Sequence, residues 1–138
     1  MIFENLHIVI AEDDLDDGPF ISDSFSRHGS FTKVTWLKNG KELIDFLRQP
    51  EEKNPDIILT DINMPLMNGI EALEEIFNDS SFSDIATFTY SSTSNPVYEK
   101  KCRELGTLGF LTKPFSLLEF DEIPYQIIYI LKNAKGNS

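Results

Sequence analysis

Five times along the chain a short apolar run gives way to a stretch of helical periodicity, and this alternation restricts the fold more than any other feature. The runs are Leu6 to Ala11, Phe31 to Leu37, Asp56 to Thr60, Ile85 to Tyr90 and Leu108 to Thr112. Most are short, β-branched and bounded by polar residues, the pattern of strands buried on both faces. Between them, Leu15 to His28 carries Phe20, Ile21 and Phe25 at helical spacing, and Lys41 to Arg48 carries Leu43, Ile44, Phe46 and Leu47. Asn68-Gly69 introduces a helix with Ile70, Leu73, Ile76 and Phe77 on one face. Asn95-Pro96 introduces another, whose inner face is expected to hold Val97, Cys102 and Leu105. Proline is well placed in a first helical turn. The last helical region is interrupted by Pro124, which predicts a short turn from Ser116 and a main helix from about Ile123 to Asn133. Tyr125, Ile128 and Tyr129 could then be partly exposed, although Ile127, Ile128 and Leu131 could equally cover the sheet. The tail from Ala134 to Ser138 is expected to fray.

Strict strand–helix alternation predicts an α/β chain with a doubly wound, five-stranded parallel sheet and helices on both faces. Such sheets bind ligands outside the carboxyl ends of their strands. The residues at those ends are therefore the candidates. Strand one ends in Glu12-Asp13-Asp14, strand three in Asp61, strand four in Ser91-Ser92 and strand five in Lys113-Pro114. Each has an ordinary reading by itself: acids after a strand cap helices, Ser-Ser makes a turn, Lys-Pro makes a loop. Their presence at four strand ends on one sheet edge is harder to explain that way.

Converging carboxylates repel and raise one another's pKa, and a hard cation relieves this by taking oxygen ligands. A lysine adds a positive point charge and a serine hydroxyl a hydrogen-bond donor. Carboxylates, a cation, lysine and hydroxyl together suit phosphoryl transfer, with an aspartate as the attacking group.

Bulk properties narrow the setting. The net charge of −11 opposes binding to phosphate backbones, so no nucleic-acid partner is expected. No apolar run is long enough for a membrane helix, and the N-terminus lacks the basic and apolar regions of a signal peptide. With Cys102 the single cysteine, no intrachain disulfide can form. A cytoplasmic protein with no membrane partner is the expectation.

Four segments carry a family resemblance: Ile8-Val-Ile-Ala-Glu-Asp-Asp14, Ile57-Ile-Leu-Thr-Asp-Ile-Asn-Met-Pro-Leu-Met-Asn-Gly69, Tyr90-Ser-Ser and Gly109-Phe-Leu-Thr-Lys-Pro-Phe115. They resemble the receiver domains of two-component response regulators. The second is the most specific, and the spacings from Asp61 to Ser91 and to Lys113 are those usual in the family. The resemblance runs from about Leu6 to Asn133, implying one receiver domain over residues 1–138 of the stand-alone type. It implies a (βα)5 flavodoxin-like fold with strand order 2-1-3-4-5.

It also implies roles. Asp61 would accept the phosphoryl group. Asp13 would bind Mg2+ directly, Glu12 would assist through water, and Asp61 and the backbone carbonyl of Asn63 would complete the protein's ligands. Ser91 and Lys113 would bond the transferred group. Ser91 and Phe110 would form the switch, although Phe110 also reads as an ordinary half-buried strand residue. Pro114 would be cis, and Asn63 and Thr93 would tune hydrolysis. Asp14 is a third acid the minimal site does not need, and Asp16 and Asp17 read as charges favoured at a helix N-terminus. Glu12 stands where aspartate is commoner, and the segment around Gln49 to Lys53 is longer than in minimal receivers.

The expected partners are a sensor histidine kinase or a histidine phosphotransfer protein, and a downstream protein target. A monomer or weak homodimer is expected. Passing the phosphoryl group onward in a phosphorelay is the alternative role. An aspartyl-phosphate phosphatase of the haloacid-dehalogenase type fits less well, because it needs an acid where this chain has Asn63. A flavin-binding module would need a phosphate loop where Glu12, Asp13, Asp14, Asp16 and Asp17 crowd together. A receiver that folds but is never phosphorylated would be expected to lack site residues that are all present here. The chain reads as a switch with no enzymatic activity beyond its own phosphotransfer and dephosphorylation.

Overall fold

The computed structural model describes residues 3–93 and 95–136 of the chain. Its order is β1 (Leu6–Ala11), α1 (Asp17–Arg27), β2 (Phe31–Leu37), α2 (Gly40–Leu47), β3 (Ile57–Asp61), α3 (Gly69–Phe77), β4 (Ala86–Ser91), α4 (Pro96–Leu105), β5 (Gly109–Thr112), α5 (Leu117–Phe120) and α6 (Ile123–Gly136), with a 3-10 turn at Ser80–Phe82. The strands form one parallel sheet in the order β2-β1-β3-β4-β5. The predicted fold class and strand order hold.

Alternate residues of the strands feed two cores. Val9, Ala11 and Ile58 pack with Leu43, Ile44, Leu73, Ile76 and Cys102, so α2, α3 and α4 cover one face. Ile8, Ile10, Leu59, Phe88 and Tyr90 pack with Ile21, Phe25, Phe120, Ile123 and Ile127, so α1, α5 and α6 cover the other. β3 lies between β1 and β4 and is buried along its whole length. Its last residue, Asp61, is thereby carried into the interior edge of the sheet.

Local chemistry explains the helix starts. Asn39 and Asn68 cap α2 and α3 by accepting from the N–H groups of Glu42 and Glu71. Asn68 and Glu71 form a reciprocal capping box, which satisfies two otherwise unpaired donors. Asn95 caps α4 with Pro96 just behind it. α4 closes on Gly106, whose φ of 116° is open to glycine and strained for other residues.

Several expectations change. Val97 is 73% exposed, so the inner face of α4 rests on Cys102 and the partly buried Leu105. Pro96 at the helix start leaves Val97 on the turn that faces away from the sheet. The break before α6 falls where expected, but it divides the three candidate residues. Ile128 is buried with Ile127 and Leu131, whereas Tyr125 and Tyr129 are exposed. Helical periodicity gives Ile128 to the sheet and the tyrosines to solvent. Ala134 continues α6 rather than fraying, while Asn137 and Ser138 lie outside the described residues. Every peptide bond among the described residues is trans, Lys113–Pro114 included, which corrects the expected cis-proline. Trans is favoured by about 0.5–1 kcal/mol before proline. Here the Lys113 N–H also bonds to the Ser91 carbonyl at 2.8 Å, continuing the β4–β5 ladder without a reversal of the chain.

Candidate functional site

The carboxyl ends of β1, β3 and β5 meet where sheet order demands. Ala11 pairs with Thr60 and Asp61 pairs with Tyr90, which sets the end of β3 between those of β1 and β4. Glu12 follows Ile8 and Ile10 in strand parity, so its side chain falls on the face that also holds Tyr90.

Lys113 stands at the centre. Its Nζ lies 2.8 Å from Glu12 Oε1, 2.9 Å from Asp61 Oδ2 and 3.3 Å from Asp17 Oδ2. It also sits 5.1 Å from the centroid of the Tyr90 ring, a cation–π distance. Asp61 accepts from its neighbour's backbone as well, with Ile62 N–H 2.7 Å from Oδ1. Glu12, Asp13 and Asp61 can each offer a carboxylate oxygen within 4.8 Å of the others.

The electrostatics are unbalanced. Burial and the nearby Glu12 charge push the Asp61 carboxyl up to about 6, against the opposing pull of Lys113. Asp13 is raised too, by burial and then by Glu12. Burial disfavours the Lys113 charge, but hydrogen bonds and charge from Glu12 and Asp61 outweigh it and hold the lysine above its ordinary value. One ammonium thus faces several carboxylates. Close-set oxygen donors carrying excess negative charge suit a small hard cation such as Mg2+.

Of the residues picked out from sequence, Glu12, Asp13, Asp61 and Lys113 are brought together. Ser91 is buried at the end of β4, and its Oγ accepts from Thr93 N–H at 3.3 Å. Thr93 and Asn63 are exposed. Phe110 is partly buried and lines a small crevice between α4 and β5 with Cys102 and Leu108.

The acidic cluster divides by role. Asp14 closes the turn leading into α1, its Oδ1 accepting from Asp16 and Asp17 N–H at 2.8 and 2.9 Å. Those bonds hold its carboxyl below the usual range. Asp17, read as a helix-end charge, instead reaches Lys113, so that reading is corrected in part: it opens α1 and also belongs to the pocket. Burial raises its carboxyl, with Lys113 opposing.

Two aromatic residues that sequence patterning passed over also contribute. Tyr90 is fully buried, and its hydroxyl donates to Glu12 Oε1 at 2.5 Å. Trp36 Nε1 donates to the Glu12 carbonyl at 2.8 Å, and its ring lies so close over Gly18 that a Cβ there would come within 2.1 Å of it. The only available signal was parity, since Glu12 and Tyr90 fall on one sheet face, but parity does not show reach. At Gly69 a Cβ would lie 2.1 Å from the Asp61 carbonyl oxygen, so the turn after the aspartate requires glycine.

A parallel α/β sheet with an acid-and-lysine pocket at its strand carboxyl ends defines a ligand-binding class of doubly wound protein. The sequence profile of the response regulator receiver domain matches residues 8–123. This chain belongs to that family, and it is a receiver domain, the signalling switch of two-component systems. It is similar to the two-component response regulator ARR17 of Arabidopsis thaliana, at 25% identity over 91% of this chain and 86% of that one. It is 26% identical to the protein-glutamate methylesterase/protein-glutamine glutaminase of Clostridium acetobutylicum over 95% of its own length, but spans only 37% of that enzyme. Among solved structures it resembles the phosphorylated cyanobacterial phytochrome response regulator RcpA, with a TM-score of 0.83, 26% identity and coverage of 89% and 91% of the two chains. Among the described residues, no helix is long and apolar enough to cross a membrane.

Proposed function

We propose that Asp61 accepts a phosphoryl group from a phosphohistidine on a sensor kinase or phosphotransfer protein, and that the resulting acyl phosphate changes which protein this chain contacts. The observation that carries this reading is the burial of Asp61 against Lys113, Glu12 and Asp13 at the end of the central strand. In the transfer a carboxylate oxygen of Asp61 forms the new P–O bond, the P–N bond breaks, and its electron pair stays with the donor imidazole. A carboxyl pushed up to about 6 remains ionised at neutral pH, so it is available as the nucleophile.

Asp13, Asp61, Glu12 and the Asn63 carbonyl would hold Mg2+, which supplies charge neutralisation for the oxygens of the transferring group. Lys113 is already at Asp61 and would pair with the phosphoryl group once it is attached. Ser91 Oγ, now bonded within its own loop, would turn to a phosphoryl oxygen, and Phe110 would shift in its crevice. Asn63 and Thr93, exposed two residues beyond the acceptor and the hydroxyl, would set how quickly water reaches the acyl phosphate. Output would pass by protein contact from one receiver unit spanning about residues 6–133, with no reaction beyond phosphotransfer and hydrolysis on itself. It would act in the cytoplasm, where a buried free thiol such as Cys102 stays reduced.

Intact mass after incubation with Mg2+ and acetyl phosphate tests the reading. Wild type should gain one phosphoryl group, and Asp61→Asn should gain none while keeping its fold. Phosphoryl on another residue of the wild type would sink it.

A further inference from the structure

Tyr90 is a core residue by burial, and its ring packs with Phe88, Ile8 and Ile10 on the face covered by α1 and α6. Packing needs only the ring. A buried hydroxyl must also find a partner, and a carbonyl of the sheet would serve as one. Here it donates instead to Glu12 Oε1, the oxygen that also accepts from Lys113. The other Glu12 oxygen accepts from Asp14 N–H at 3.1 Å. The carboxylate is thus held from three sides by a phenol, an ammonium and a backbone amide.

A glutamate has one more side-chain torsion than an aspartate, and fixing a free one carries an entropic cost that a cation would otherwise meet on binding. From its anchored position Glu12 can offer an oxygen within 4.8 Å of those of Asp13 and Asp61. We infer that Tyr90 is a positioning residue: its hydroxyl pre-sets Glu12 in the geometry from which the carboxylate cluster takes a divalent cation. This rests on the reading of Glu12, Asp13 and Asp61 as a Mg2+ site. It also ties β4 to the cation site, because Tyr90 immediately precedes the buried Ser91.

Partners that orient metal ligands typically contribute about 10–100-fold to metal affinity. Tyr90→Phe keeps the ring, its packing and its place under Lys113, and removes only the hydroxyl. Mg2+ titrations of the unphosphorylated protein test the inference, followed by emission of Trp36, the chain's single tryptophan, which bonds to the Glu12 carbonyl. Tyr90→Phe should raise the Mg2+ Kd by about tenfold. Glu12→Gln should then weaken binding less in the Tyr90→Phe background than in wild type, since the two act through one contact.

A purely structural tyrosine would lower the urea midpoint of the cation-free protein and leave the Mg2+ Kd within about twofold of wild type, and that result overturns the inference. As a second measurement, the Tyr90 ring signals of wild type should shift on adding Mg2+ in NMR spectra, and unmoved signals count against it. If wild type itself takes no Mg2+, the cation-site reading fails first and the inference goes with it. If wild type binds and Tyr90→Phe binds equally well, only the inference fails.

Discussion

The two ends of strand β1 carry charge in opposite ways. At its start, His7 N–H donates to Asp56 Oδ2 at 2.9 Å, Asp56 N–H returns a bond to the His7 carbonyl at 3.0 Å, and Lys33, Glu52, Lys53 and Asp56 line a shallow polar crevice. Positive and negative groups are matched there, and Lys33, Lys53 and Asp56 are exposed to water. At its finish, Glu12 is buried with Asp61, the two share one lysine with Asp17, and Asp13 brings a further carboxylate beside them. The first arrangement satisfies its groups within the chain. In the second, burial and close-set negative charge that one lysine does not balance raise the carboxyls of Asp13, Asp17 and Asp61 and suit the pocket to a hard cation. Charge that the chain itself does not balance, rather than charge as such, distinguishes the carboxyl end of β1 from its start.

The sharpest way to break this comparison is to remove the lysine. Lys113→Ala leaves Glu12 and Asp61 buried without their cation and should cost about 3–5 kcal/mol in urea unfolding. It should also separate phosphorylation from the response of Phe110, read by its ring signals in NMR. A cost below about 1 kcal/mol would mean the pocket is as well solvated as the opposite end.

A smaller effect is expected from pH. The native Asp61 carboxyl titrates near 6, above its ordinary value of 3.8, so the folded state binds a proton that the unfolded state releases. Its contribution to stability is therefore fully present below about pH 4 and is lost as pH rises through about 6, a loss on the order of 3 kcal/mol. Melting curves in a chelating buffer should show stability falling over that window, and Asp61→Asn should flatten the fall. A wild type no more pH-sensitive than Asp61→Asn would remove the claim of unbalanced charge.

The smallest effect belongs to the matched end. Asp56→Asn should shift unfolding by no more than about 0.5 kcal/mol and leave phosphorylation by acetyl phosphate unchanged. A phosphorylation defect in that variant would mean the two ends are coupled through β1 or β3.

Much of this was legible in order along the chain. Apolar runs of strand length, asparagine caps before helices and the polar residues at strand ends are local signals, each set within a few positions by periodicity and capping chemistry. They were enough to define the α/β class and to single out the sheet edge where Asp61, Asp13, Glu12 and Lys113 are brought together as the candidate site. The strand order followed from resemblance and was met by the sheet.

What the tertiary structure decided is which side chain reaches which. Tyr90 and Glu12 lie 78 positions apart, and only the packing of β1, β3 and β4 brings the phenol onto the carboxylate. Asp14 and Asp17 look alike in sequence, yet one accepts from the backbone of the turn leading into α1 and the other reaches Lys113, because the start of α1 turns them to different sides. Ile128 and Tyr129 are adjacent, and the phase of α6 alone buries one and exposes the other. Pattern along a chain reports what its neighbours in sequence require. Contacts between distant segments depend on register and helix phase, which are fixed only when all the elements pack at once.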